Sequence, residues 1–244
     1  MQQIFVEANQ IDRNQVLVLG QDAKHLSRVV RIRVGERIRV SVHGGKNYFA
    51  TVSEVEKDRV VADLECESED TESENRIYLF QGLPKGSKFE TIIEKTVELG
   101  VYEIIPVEMK NCVVKLDDKK KESKTKRYQA VAESAAKQSK RSIIPNVHEV
   151  MKYEDALDYA REISDVILLP YENEDGMKAT KAALEKIKPG TSVSVFIGPE
   201  GGFAPEEIEK SQDAEIISLG KRILRTETAA ITTVAMLMLH SEMI

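Results

Sequence analysis

The sequence predicts an α/β protein with a small β-barrel domain in front of it. Three observations carry that expectation. Residues 1 to about 64 break into short runs in which apolar and polar side chains alternate, the period of a strand. From Arg76 the pattern changes to strands alternating with helices, which implies a mainly parallel sheet covered on its faces. Late in the chain, Ile197-Gly198-Pro199-Glu200-Gly201-Gly202-Phe203 and Leu219-Gly220-Lys221-Arg222-Ile223-Leu224-Arg225-Thr226-Glu227-Thr228-Ala229 each follow an apolar, strand-like run. Ligands of open α/β sheets bind beyond the carboxyl ends of the strands, so the two turns read as two walls of one site.

In the first domain, Val16–Leu19, Arg37–Val42, Tyr48–Val52 and Val60–Leu64 suit strands, with a hairpin turn at His43–Asn47 and a short helix over Asp22–Val30. The acidic stretch Glu65–Asn75 has nothing to bury and reads as a linker. The expected division is therefore residues 1–70 and 74–244. In the second domain Ile77–Phe80 is a strand. Lys88–Leu99 is a helix with Phe89, Ile92, Ile93 and Val97 on one face, stopped by Gly100. Val101–Val107 and Asp165–Pro170 resume the sheet, and Arg127–Ser139 and Ala179–Ile187 are helical. The final helix, Thr228 to His240, is apolar almost all round, which calls for burial in a core or against a second subunit.

The chain has 244 residues and a net charge of −6. It contains no apolar run of the ~18 residues that a membrane span needs. The first seven residues lack the charged and apolar parts of a secretory leader, so a cytoplasmic location without membrane attachment is expected. Cys66 and Cys112 have no ligand-spaced partners, which argues against zinc or a disulfide framework. The acidic total hides two basic clusters. Lys24–Arg39 holds six basic residues against Glu36, and Lys110–Arg141 holds eleven against four acids. A lysine run is commonly a solvated helix face, yet two such clusters in an acidic chain point towards a polyanion.

Neither a Rossmann fingerprint nor a Walker loop is present. Gly-Pro-Glu-Gly-Gly is a different device, in which Pro199 stiffens the turn while the glycines expose backbone groups able to read a base. At these residues the chain resembles the SPOUT class of methyltransferases, and more closely the bacterial family that methylates N3 of a uridine in 16S ribosomal RNA. The resemblance extends through His25-Leu26, Arg28-Val29-Val30-Arg31, Lys85-Gly86-Ser87-Lys88, Glu94–Val101, Val113–Leu116 and Gln138-Ser139 with Arg141 and Pro145. It departs at Lys110-Asn111, where relatives carry Glu-Arg, and at Lys137, where they carry Glu.

The resemblance implies a PUA-like RNA-binding domain, a SPOUT α/β domain with a deep trefoil knot, a homodimer, and S-adenosylmethionine as cofactor, with no metal. Carried over by motif, Leu169, Pro170, Gly198, Pro199, Glu200, Gly201, Leu219, Gly220, Ile223, Leu224, Arg225 and Thr228 surround the cofactor. Arg28, Arg31, Arg33, Lys88, Lys115 and Arg141 are expected on the RNA of the small ribosomal subunit. Arg225 is the candidate for stabilising negative charge on the uracil oxygens and Glu227 for accepting the N3 proton; a structural ion pair between the two is an equal alternative. A non-catalytic RNA-binding or ribosome-assembly factor, and a methyltransferase acting on another RNA, are the rival functions. The first would predict damaged glycines, and none is damaged.

Overall fold

The computed structural model describes residues 1–171 and 176–243. They form two compact units: Met1–Glu72 with Ala136–Ile144, and Ser73–Ala135 with Pro145 onward. The segment 136–144, which the sequence division assigns wholly to the second domain, thus belongs to the first unit.

In the first unit the elements are β1 (Gln2–Val6), β2 (Ile11–Asp12), β3 (Gln15–Leu19), α1 (Gly20–Lys24), β4 (Arg37–Val42), β5 (Asn47–Val55) and β6 (Arg59–Glu67). They make a six-stranded sheet in the order β1-β4-β5-β6-β3-β2. All its pairs are antiparallel except β1 with β4. Side chains two apart along the strands, such as Val16 and Val18 or Ile38 and Val40, reach one core with Ala23 and Leu26. The strand β1 escapes the alternation because four consecutive residues, Gln3 to Val6, are buried. The helix expected over Asp22–Val30 begins at Gly20 and widens into a π turn over His25–Val30, which Arg31 ends in the left-handed region at φ 57°.

The acidic stretch is not a free linker. Its carboxylates serve as counter-ions: Glu65 to Arg37 at 2.7 Å and Glu67 to Lys46 at 2.5 Å. Glu72 accepts two hydrogen bonds from the Arg141 guanidinium and one from the Ser142 amide. Ser142 Oγ in turn accepts from Asn47 Nδ2 at 2.8 Å and from the Thr71 amide at 3.2 Å. Gln3 donates to the Arg141 carbonyl at 2.6 Å, fastening β1 to the same segment. Arg141 is only 4% exposed. A buried guanidinium must be paired or it costs several kcal/mol, and Glu72 meets that need.

The second unit contains β7 (Arg76–Gly82), α2 (Lys88–Glu98), β8 (Glu103–Glu108), α3 (Asp118–Ser139, whose last four residues lie in the first unit), β9 (Asn146–Val147) and β10 (Met151–Lys152). There follow α4 (Tyr153–Ile163), β11 (Val166–Pro170), α5 (Lys178–Glu185), β12 (Ser192–Ile197), α6 (Pro205–Lys210), β13 (Glu215–Ile217) and α7 (Thr226–Met243). The sheet runs β10-β8-β7-β12-β11-β13 with β9 beside β8, and every pair is parallel. Phe80, Phe196, Ile105, Leu169 and Tyr153 share one core. The helix α7 packs on α2, β7 and β12.

Helix α3 starts nine residues earlier than its alanine-rich part predicts. Pairs within and beyond the helix neutralise its lysine-rich start: Lys126 with Glu122 at 2.6 Å, Lys121 with Glu108 at 3.2 Å and Arg127 with Glu90 at 2.9 Å. Spacing of four along a helix suits the first of these. Among the described residues no helix is long and apolar enough to cross a membrane.

Candidate active site

The carboxyl ends of β11, β12 and β13 lead into the walls of one cavity of about 540 Å³. Pro170 and Tyr171 continue from β11, Gly198, Pro199, Glu200, Gly202 and Phe203 from β12, and Ser218 to Arg225 from β13; Gly176, Lys88 of α2 and Thr226 and Ala229 of α7 also line it. Ligand sites of small molecules occupy roughly 300–1,000 Å³. Of the residues expected around a cofactor, Pro170, Gly198, Pro199, Glu200, Leu219, Gly220, Ile223, Leu224 and Arg225 line the cavity. Leu169 is buried in the sheet core, Gly201 is exposed next to Asn111 and outside the lining, and Thr228 is exposed on the first turn of α7.

Two glycines owe their identity to close approach. A Cβ on Gly198 would lie 3.3 Å from Gly202 and from the Phe203 ring. One on Gly201 would lie 3.0 Å from Asn111 Cβ. Asn111 donates to the carbonyls of Gly201 and Gly202 at 3.1 and 3.2 Å, so a residue that departs from the family pattern clamps the turn from outside. Its neighbour Lys110 donates its amide to Glu207 at 2.8 Å, and Glu207 caps α6 through the Ala204 amide at 2.8 Å. The third departure, Lys137, pairs with Asp22 at 2.9 Å within the first unit.

Charged side chains on the cavity wall are Lys88, Glu200, Lys221, Arg222 and Arg225, and of these Lys88 and Glu200 are paired with each other. The Lys88 Nζ lies 2.9 Å from Glu200 Oε1 and 3.5 Å from Glu227 Oε2. Glu200 Oε1 also accepts the Lys85 amide at 3.1 Å. The hydrogen bond to Glu200 raises the Lys88 pKa and holds it as an ammonium. Burial pushes Glu200 upward, but the hydrogen bonds from Lys88 and backbone amides outweigh it and keep the carboxyl below its ordinary value. Glu227 pairs with Lys88 rather than Arg225, and its Oε2 is buried without a hydrogen-bond partner. Arg225 is exposed on the cavity wall.

Sequence reasoning missed the residues that fix the two turns to neighbouring elements. Gln81, at the end of β7, donates from Nε2 to Thr226 Oγ1 at 2.9 Å, and Thr226 donates to the Gly198 carbonyl at 2.7 Å. Thr180 donates to the Ser218 carbonyl at 2.7 Å and accepts the Ser218 amide at 3.0 Å. The signal for Gln81 was available: it is a polar residue closing an otherwise apolar strand. Thr226→Val removes the hydroxyl and leaves the Gly198 carbonyl and the Gln81 amide under-paired, at a cost of about 1–3 kcal/mol. We expect a melting temperature lower by roughly 2–10 °C and faster hydrogen exchange at the Gly201 and Gly202 amides. Unchanged exchange would show that the hydroxyl does not hold the turn.

The expected RNA contacts fare unequally. Arg31, Arg33 and Lys115 are exposed, and Arg28 is half-exposed beside Asp58 at 3.5 Å. Arg141 is a correction: it is buried on Glu72, where a phosphate has no access. Lys88 is also placed differently, on the cavity wall between two carboxylates.

A family model described as an RNA methyltransferase domain matches residues 71–238, and one described as an RNA methyltransferase PUA domain matches 18–65. The chain is 33% identical to ribosomal RNA small subunit methyltransferase E of Bacillus subtilis, across all of this chain and 98% of that protein. It resembles the crystal structure of a ribosomal RNA small subunit methyltransferase E from Neisseria gonorrhoeae bound to S-adenosyl methionine. The TM-score is 0.82 and the identity 30%, over 97% of this chain and 96% of the other. The putative methyltransferase Lpg2936 of Legionella pneumophila, in complex with SAM, gives a TM-score of 0.83 at 28% identity over 96% of each chain. With an N-terminal PUA domain and a parallel-sheet α/β domain whose strand ends wall one glycine-lined cavity, the chain belongs to the RNA methyltransferase family that includes ribosomal RNA small subunit methyltransferase E.

Proposed function

We propose that the chain transfers the methyl group of S-adenosylmethionine to N3 of one uridine in 16S ribosomal RNA of the small subunit. The observation that carries this reading is the cavity between the Gly198–Phe203 and Ser218–Arg225 turns. Its fit to the cofactor rests on the close-packed backbone at Gly198 and on the positive φ of 102° at Gly220. Both leave main-chain groups at the wall without side chains in front of them. Pro170, Pro199, Leu219, Ile223 and Leu224 offer the apolar surface of a purine site, and Leu169, Gly201 and Thr228 support it from behind or beside. When bound, S-adenosylmethionine supplies a methyl group on a sulfonium, and transfer releases a neutral thioether.

The protein's own contribution is alignment and charge. Holding the base against the donor can supply up to ~7–11 kcal/mol of the barrier. Arg225 stabilises the negative charge that develops on the uracil oxygens as N3 loses its proton, and Glu227 accepts that proton. Arg28, Arg31, Arg33 and Lys115 hold phosphates, which positions the RNA without choosing the base. The working form is a cytoplasmic homodimer containing the trefoil knot of the SPOUT class. In support, α7 exposes Leu239 and Met243 on a helix that is apolar on nearly every side.

The test is methyl transfer from labelled S-adenosylmethionine to small subunits lacking base methylation, with the product nucleoside identified. The expected product is 3-methyluridine at a single position. A different methylated nucleoside would overturn the N3 assignment, and absence of cofactor binding would favour a non-catalytic RNA-binding protein.

A further inference from the structure

Lys88 joins three segments that the sequence keeps far apart. It is the first residue of α2, Glu200 lies in the turn after β12, and Glu227 is in the first turn of α7. Its ammonium makes a 2.9 Å hydrogen bond to Glu200 Oε1 and stands 3.5 Å from Glu227 Oε2. The Lys85 amide fixes Glu200 from the other side at 3.1 Å. All three side chains are largely covered, with 33%, 27% and 21% of Lys88, Glu200 and Glu227 exposed. A lysine ammonium has three donors in rotatable positions, and two neighbouring carboxylates from different segments remove that freedom.

Glu227 shows what the arrangement achieves. Its Oε2 is buried and has no hydrogen-bond partner. A buried carboxylate oxygen without a hydrogen bond is costly and calls for a reason. The Lys88 ammonium at 3.5 Å is its ion-pair partner, and a carboxylate held through Oε2 leaves Oε1 to accept a proton. We propose that Lys88 is a positioning residue: anchored by Glu200, it orients the Glu227 carboxylate to take the proton from the base. This rests on the methyl-transfer reading above. The N3–H bond breaks, its proton goes to Glu227, and the N3 electron pair forms the bond to the methyl carbon as the methyl–sulfur bond breaks. Lys88 stays protonated throughout.

The experiment is a double-mutant cycle on the full chain with small subunits as substrate. It uses Lys88→Met, Glu227→Gln and the two combined, with Lys88→Arg and Glu200→Gln alongside. Single-turnover rate, KM for RNA at two salt concentrations and calorimetric affinity for S-adenosylmethionine are read for each.

General-base contributions amount to roughly 10²–10⁴ in rate, so Lys88→Met should cost about 10–100-fold in rate. KM and cofactor affinity should stay within about threefold, and Lys88→Arg should recover most of the rate. The combined variant should be no slower than Glu227→Gln alone, because Lys88 acts through Glu227. Glu200→Gln keeps Lys88 but loosens it, and gives a smaller loss of the same kind even if Lys88→Met folds poorly. Multiplying losses in the combined variant would mean that Lys88 acts on the substrate directly and would overturn the proposal. So would a weakened cofactor affinity at full rate, or a raised, less salt-dependent KM at full rate, which would mark Lys88 as a cofactor or phosphate contact. A wild-type chain that transfers no methyl group would instead defeat the underlying functional reading.

Discussion

Leu237→Glu is expected to unfold the second unit rather than separate a dimer. The all-round apolar character of the last helix makes each of its leucines look equally fit for a subunit contact. The structure separates them. Ala230, Thr233, Val234, Leu237 and Met238, three or four apart, form the buried face of α7. Leu237 is 1% exposed, on the helix that packs against α2, β7 and β12, whereas Leu239 is 64% exposed. A glutamate at 237 loses the leucine's burial, worth about 2–5 kcal/mol, and puts a carboxylate where no partner waits. The sum takes up a large part of the ~5–15 kcal/mol by which a domain is stable. Denaturant titration followed by far-ultraviolet circular dichroism should therefore show loss of the second unit's share of the helical signal and of the cooperative transition for Leu237→Glu. Leu239→Glu should keep a cooperative transition, since within one chain exposed substitutions usually stay within about 0.5 kcal/mol. Its mass in sedimentation then reports cleanly on pairing between copies. A folded Leu237→Glu with the parent's midpoint would show that the packing of α7 is wrong.

The same distinction explains what was legible in the sequence. Period and spacing gave the parallel sheet and both glycine turns, because the turns occupy contiguous residues and their chemistry is local. The partners that make those turns a site come from elsewhere in the chain. Asn111, Thr180 and Thr226 bond to backbone groups of the turns, Gln81 reaches them through the Thr226 hydroxyl, and a carbonyl acceptor leaves no residue type to search for. Charge is hard to read from sequence for a related reason. Arg141 and Lys88 look like phosphate ligands when only neighbouring residues are counted. Each is satisfied by a carboxylate brought by the fold, Glu72 in one case and Glu200 in the other. The strand β1 was hidden by its burial on both faces, which erases alternation.

Gly82→Ala is expected to damage the cavity from a position well outside either motif. Gly82 ends β7, and a Cβ there would lie 2.7 Å from both the ring Cδ and the backbone nitrogen of Pro199, and 2.9 Å from Met109 Sδ. The methionine can yield; the proline cannot. Thr226 holds the Gly198 carbonyl, Asn111 holds those of Gly201 and Gly202, and the Gly202 amide donates to the Pro199 carbonyl at 2.9 Å. Relief therefore has to come from moving the whole turn or from bending β7 within the sheet. Overpacking of this kind costs about 1–3 kcal/mol, equivalent to a melting temperature lower by roughly 2–10 °C for a chain of this size. Displacing the turn also disrupts the wall of the cavity. If half of that strain is expressed on ligand binding, affinity for S-adenosylmethionine falls by roughly 2–12-fold, since ~1.4 kcal/mol is a factor of ten. Adding Met109→Ala removes the flexible contact and leaves the Pro199 clash, so it should not restore binding. Calorimetric titration of Gly82→Ala and the double variant decides the matter. Parent-like affinity in the single variant would mean that the turn can shift without loss, and restored affinity in the double would place the strain on Met109.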